Sequence, residues 1–381
     1  MLVSLALRPQ LAAIGPLSGR IIADLGVSHA FVGLLTTIPI LCMGLFAPAG
    51  PALAGRLGTR RAIAIAAGTV SLAGLVRALA PGEPTMLALT LVIGVATATA
   101  GPMLAMFVRG AMADHRVSGT AAYAGGTTLG QAIAAGIVVP VAVLLGGWRG
   151  SLGTVSALSA LGVVAWLLLT RHRIGAGSDS TTRGRLRLPI RRPVVWALGL
   201  LFGIQSAVFY GTNAWLPSFY VERGWDPAVA AALLSVSSFA GLLSIVVAPL
   251  ASRRGLERRQ LLAIAAGSTI VGITGVVLLP VLAWVWAVIL GAGLGLTFTM
   301  VLTLPTDVAA DAEGAGGASA LMLLVGYLIA SSAPFVLGAV RDATGSFAIS
   351  LWLLVALAVT MLPLSWALSP ERLHPGRAAS S

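Results

Sequence analysis

Few residues in this chain are suited to chemistry, and the first of them is a cation in apolar surroundings. Arg8 lies in MLVSLALRPQLAAIGPL, residues 1–17, with Pro9 directly after it. An arginine at the centre of a membrane helix costs about 2.5–3.5 kcal/mol on insertion scales, so such residues face a protein interior or a watery cavity. Its planar guanidinium offers forked recognition of an anion or strong acceptor, which lysine does not reproduce. The competing reading is snorkelling to the nearby surface, because the preceding turns of helix, at 1.5 Å per residue, reach only about 10 Å. Gln205, Phe209 and Asn213 follow at i, i+4 and i+8, so one helix face presents an amide, an aromatic wall and a second amide, with Tyr210 beside it. Gln131 and Tyr327 are the most polar side chains near the middle of two further apolar runs. These seven residues are the candidate solute contacts. For the amides the alternative is a hydrogen bond to a neighbouring helix, worth about 0.6–2 kcal/mol. Thr36, Thr37, Thr97, Thr99, Thr297 and Thr299 add hydroxyls, but threonine readily bonds its own helix backbone.

The elements that position these residues are membrane helices. Of 381 residues 57% are hydrophobic and 9% charged, against about 25% charged in a soluble domain. The mean hydropathy is +0.97. Apolar runs recur at lengths that cross a hydrocarbon core of about 30 Å, and none alternates as a barrel strand does. Twelve spans are expected, at 2–23, 29–51, 60–79, 85–108, 118–145, 150–170, 193–219, 228–250, 260–280, 283–304, 316–339 and 347–368. The segment 171–192 carries seven arginines against one acid, Asp179, and reads as a linker between a first half, 1–170, and a second, 193–381.

All 24 basic residues are arginine. Eighteen fall in one set of alternate loops, and five (Arg20, Arg77, Arg149, Arg223 and Arg341) in the other. The net charge of +12 is thus a topology signal rather than a sign of nucleic-acid binding. Both termini and the linker are expected in the cytoplasm. The halves also repeat: LAGRLGTRRAIAIAAG from Leu53 matches LASRRGLERRQLLAIAAG from Leu250 at an offset of 197 that grows to 199. Six spans repeated in the same orientation imply a carrier of two pseudo-symmetric bundles with its solute near the midplane. The 197 offset sets Arg8 opposite Gln205 and Gly94 on Gly291, and an offset of 196 pairs Gln131 with Tyr327.

The register Gly55-Arg56-Leu57-Gly58-Thr59-Arg60-Arg61 resembles the marker between spans two and three of the major facilitator superfamily, with Gly55 where that motif has aspartate. LALRPQLAAIGPL, GLLTTIPILCMGLFAP (33–48), GIQSAVFYGTNAWLPSFYVERG (203–224) and GYLIASSAPFVLGAVRDATGSF (326–347) resemble its cyanate permease and nitroimidazole exporter branch. The resemblance implies an all-α membrane protein of twelve helices in two six-helix bundles, with spans one, four, seven and ten lining the cavity. Members of the branch carry more sequence ahead of the corresponding arginine, so it also implies that this chain starts late. The glycine-proline motif that drug/proton antiporters carry in span five is replaced here by Gln131.

No acid lies deep in a span. Asp24 and Asp307 come nearest, which favours facilitated diffusion or anion exchange over strict proton symport. Arg56, Gly58, Arg60 and Arg61 with Arg253 and Glu257 mark either topology or a cytoplasmic gate that joins the halves. The lone Cys42 excludes an intramolecular disulfide, and no enzyme, cofactor or metal signature stands out. The expected activity is alternating-access transport of a small anionic or polar solute resembling cyanate. The alternative is export of small aromatic heterocycles stacked on Phe209, Tyr210, Trp215 and Tyr327. A remote third is a receptor or scaffold that transports nothing. The implied partners are a solute and membrane lipid, and one chain holds the whole two-bundle unit, so it is expected to work as a monomer.

Overall fold

Apolar runs of this length leave backbone polar groups without water, and helix is the local solution. A computed structural model describes residues 2–111, 116–171, 188–308 and 312–368. The linker 171–192 and the tail arginines lie mostly or wholly outside the described residues, as do the side chains of Arg109, Arg116 and Asp307.

Among the described residues eleven helices are long and apolar enough to cross a membrane. The first expected span, 2–23, is broken rather than continuous, into α1 (Leu2–Leu5), α2 (Pro9–Ala12) and α3 (Ile14–Leu25). Pro9 has no N–H to give the Leu5 carbonyl, and its ring excludes that carbonyl from the helical position. The chain turns instead on bonds from Ala6 N–H to Val3 O (3.2 Å) and Leu7 N–H to Ser4 O (3.4 Å). Gly130 makes room for the displaced Leu5 carbonyl, which a Cβ there would overlap. The second pass also divides, into α4 (His29–Phe46) and α5 (Ala49–Leu57). The first half closes with α6 (Thr59–Ala78), α7 (Glu83–Ala111), α8 (Arg116–Leu144) and α9 (Trp148–Leu169). The second contains α10 (Pro193–Val221), α11 (Pro227–Arg253), α12 (Arg258–Leu278), α13 (Ala283–Val301), the short α14 (Leu304–Val308), α15 (Ala312–Thr344) and α16 (Phe347–Ala367). The chain therefore makes twelve passes in two groups of six.

Local sequence sets the helix starts. Ser28 accepts the Phe31 N–H at 3.1 Å to begin α4, and Asp226 accepts the N–H groups of Ala228 and Val229 to begin α11. The internal repeat has a geometric counterpart. Gly94 of α7 lies so close to α4 that a Cβ would stand 2.9 Å from Pro39 Cα, and Gly291 of α13 is pressed in the same way on Ser237 of α11. These equivalent close approaches use missing side chains to bring helices together where lipid gives no hydrophobic drive.

The halves meet closely at the arginine-poor end. Ser18 of α3 and Ser218 of α10 share a hydrogen bond of 2.8 Å, and their separation of 200 residues is close to the repeat offset. Thr37 donates to Ser331 O at 2.6 Å, and Ser235 to Ala132 O at 2.8 Å. Asp342 at the end of α15 accepts from His29 N (3.1 Å), Ala30 N (2.8 Å) and His29 Nδ1 (2.6 Å). Beneath that clasp His29 packs on Trp215 and Phe347, whose rings stack at 5.0 Å. Gly33 touches the backbone of Pro334 and Phe335 and could not carry a side chain at this spacing.

In a Cys42→Ser background, Ser18→Cys/Ser218→Cys is expected to close a disulfide under mild oxidation. Adding Gly33→Leu should wedge α4 from α15 and lower the yield several-fold, as read by titration of free thiols.

Candidate functional site

The break in the first pass places Arg8 in the interior, facing the second half. The cavity beside it has a volume of about 20 Å³, room for roughly one water-sized body. Arg8, Thr36, Gln131, Tyr210 and Asn213 supply its polar groups, and Leu11, Ala12, Ile40 and Ala214 its apolar walls.

Arg8 Nη1 donates to the Tyr210 hydroxyl at 3.3 Å. That phenol spends its own proton on the thioether of Met43 at 3.9 Å, a weak acceptor. Tyr327 and Tyr123 are further electrostatic neighbours of the guanidinium. Three of the chain's four tyrosines thus surround one cation. Among the described residues no carboxylate acts on it. A guanidinium is all donor and a phenol has one proton to give, so the assembly offers more donors than it can satisfy internally.

The amides form a second wall. Gln131 Nε2 donates to Asn213 Oδ1 at 2.9 Å, while Asn213 Nδ2 donates to the Phe209 carbonyl at 2.8 Å. Gln131 of α8 and Asn213 of α10 thereby span the two halves beside the cavity. The Phe209 ring packs edge-on against Tyr210 with centroids 5.1 Å apart and contributes no polar atom.

Gln205 is not brought to Arg8. It is buried, donates to Leu294 O of α13 at 3.3 Å and accepts from Ser206 Oγ at 3.1 Å. At about 100° per residue it lies some 140° around α10 from Tyr210 and about 80° from Asn213, so the spacing that joined it to Asn213 still turns it off the cavity face. The arginines expected to form a gate are likewise not joined. Arg56, Arg61, Arg253 and Gly58 are exposed. Arg60 donates to Thr170 Oγ1 and Leu167 O, both at 2.8 Å and both in its own half. Glu257 caps its own helix in a reciprocal box with Gln260. Asp24 accepts from Trp148 Nε1 (3.0 Å) and Arg149 (3.1 Å) at the arginine-poor rim, away from the cavity. The side chain of Asp307 is outside the described residues.

A second buried cation corrects the reading of Arg77 as a loop charge. Its side chain is 1% exposed. It donates to Gln10 Oε1 (2.9 Å), Gln10 O (3.1 Å) and Thr90 Oγ1 (3.3 Å), while Gln10 Nε2 donates to Ser156 Oγ at 2.7 Å. Gln10 sits two residues after Arg8, so this network anchors the broken helix to α6, α7 and α9 while Arg8 turns the opposite way. Tyr123 and Gln10 were not apparent from the sequence; the scarcity of tyrosine in the chain was the one available signal.

Two six-helix halves, closed on each other at one end around a small central cavity that holds a cation and two amides, are the architecture of a membrane carrier. The Major Facilitator Superfamily model matches residues 1–334, and the chain belongs to that superfamily of transporters. It is 30% identical over 367 residues to the cyanate transport protein CynX of Escherichia coli (strain K12), covering 95% of this chain and 94% of that protein. It is 28% identical over 363 residues to the 2-nitroimidazole transporter of the same organism, covering 95% and 92%. Among solved structures, a mutant of the nucleoside transporter NupG superposes with a TM-score of 0.79 at 15% identity, over 96% of this chain and 98% of that one, a likeness of fold.

Gln10→Leu removes the Arg77 side-chain acceptor and leaves the cation underpaired. Hydrogen bonds to buried charges are worth about 1.5–3 kcal/mol, so unfolding in detergent should show a loss of that order.

Proposed function

We propose that this carrier moves a small anion, of the size of cyanate, across the cell membrane by alternating access, with both termini in the cytoplasm. The observation that carries this reading is Arg8, ringed by Tyr210, Tyr327 and Tyr123 with no carboxylate acting on it among the described residues. A cation in a weakly polar site is costly, and a bound anion offsets that cost with charge-assisted hydrogen bonds. The ligand also offers the Tyr210 hydroxyl a better acceptor than the thioether it now meets. Arg8 is then the main electrostatic contact. Tyr210 and Tyr327 donate to the solute, Gln131 and Asn213 bound it, and Phe209 backs the wall. Gln205 serves α10–α13 packing in this state.

The aromatic exporter remains the second reading, because three phenol rings gather at one site and the nitroimidazole relative matches over nearly the whole chain. The arginines of the opposite end, Arg56, Arg60, Arg61 and Arg253 with Gly58 and Glu257, are proposed to meet in another state of the transport cycle.

An anion at 100 times its Kd adds about 2.7 kcal/mol of stability. Cyanate, nitrite and nitrate should raise the melting temperature of the wild type and leave Arg8→Gln unmoved. Equal stabilisation of both proteins by 2-nitroimidazole, with no effect of the anions, would select the second reading. Tyr210→Phe removes one hydrogen bond to a charged ligand, worth about 1.5–3 kcal/mol, so the anion should bind roughly 12–160-fold more weakly in the same assay.

A further inference from the structure

A groove on the outer face of the second half, remote from Arg8, has the composition of a lipid site. We propose that it binds an anionic phospholipid. The groove, of about 420 Å³, lies between α12 and α16 at the arginine-rich end, with Arg259, Ala263, Leu362, Pro363 and Trp366 around it. Arg259/Ala263 and Leu362/Trp366 are both i, i+4 pairs, so each helix gives the groove one face. α12 begins at this end and α16 finishes at it, which sets Arg259 level with Trp366 and puts Ala263 and Leu362 one turn deeper. The guanidinium carbon of Arg259 stands 4.9 Å from the Trp366 ring centroid. One turn deeper again, Gly267 has open space where a Cβ would stand.

The layout matches a phospholipid part by part. A cation and an indole sit at headgroup depth, where tryptophan and arginine are favoured, and the small side chain of Ala263 below them, with open space at Gly267 a turn deeper, leaves room for an acyl chain. Arg258, one residue earlier, bonds Thr303, and among the described residues Arg259 is the cation of this groove. Among the described residues Arg259 pairs with no carboxylate, and Arg253 and Arg254 add positive potential at the same end. The charge complement is a phosphate on a headgroup of net negative charge, held in the bidentate geometry that guanidinium favours. Because the site is formed entirely by the second half and lies on the lipid face, it is independent of the solute that Arg8 binds.

The test uses the purified full chain in detergent, with phosphatidylglycerol and phosphatidylcholine of matched acyl chains added to wild type, Arg259→Gln and Ala263→Leu. Melting temperature and lipid adducts retained in native mass spectrometry are the readouts, and inorganic phosphate is a separate arm. The wild type should gain several degrees more from phosphatidylglycerol than from phosphatidylcholine and retain it as an adduct. Arg259→Gln should lose that difference while melting normally without lipid, and Ala263→Leu, which keeps the cation and fills the space below it, should lose it too. Equal effects of the two lipids on the wild type would overturn the proposal, as would a difference that survives in Arg259→Gln. A gain reproduced by phosphate alone would assign the groove to a free anion and overturn the lipid. If Arg259→Gln does not fold, Ala263→Leu decides by the same criteria.

Discussion

A guanidinium held inside a membrane protein, with no carboxylate acting on it among the described residues, is the constraint that organises this structure. Arg8 is kept there by a break in its own helix, and the break has a covalent cause in Pro9. Gly130 accommodates the carbonyl that Pro9 displaces, and the Arg77–Gln10–Ser156 network fixes the next turn to three neighbouring helices. One face of a very short helical segment is therefore committed to packing and the other to the cavity. Neutral phenols lower the cost of the cation without cancelling its charge, which leaves that charge available to a ligand.

The same economy appears at the contact between halves. Sealing the arginine-poor end takes glycines at the closest approaches, a few hydroxyl-to-carbonyl bonds, and one carboxylate, Asp342, that caps the start of α4 from the opposite half. Ser18, Ser331 and Trp215 are buried along this seam, and Gly33 and Gly338 bring backbone against backbone across it, as Gly94 and Gly291 do within the bundles.

Much of the fold was legible because hydropathy and the placement of arginine report directly on the bilayer. A residue's depth and its loop's charge suffice for that purpose, and the 197-residue repeat relates Gly94 to Gly291 before any contact is known. The site was legible only in part. Arg8 stands out because a charge inside an apolar run has a large and unavoidable cost, and Gln131, Tyr210, Asn213 and Tyr327 do collect near it. Gln205 shares its helix face with Asn213 by spacing yet packs on α13, because a face spanning 80° can straddle the boundary between cavity and helix interface. Arg77 reads as a loop charge because it ends an apolar run, and Gln10, 67 residues earlier, together with Thr90 makes its burial tolerable.

The sequence by itself determined the number of passes, the charge asymmetry that orients them and the presence of one expensive cation, because each is a property of a residue against a fixed slab of hydrocarbon. Which polar groups meet that cation was decided by tertiary structure alone. Tyr123, Tyr210 and Tyr327 come from three helices, and rotation of each about its axis is fixed by packing against neighbours that no local period encodes.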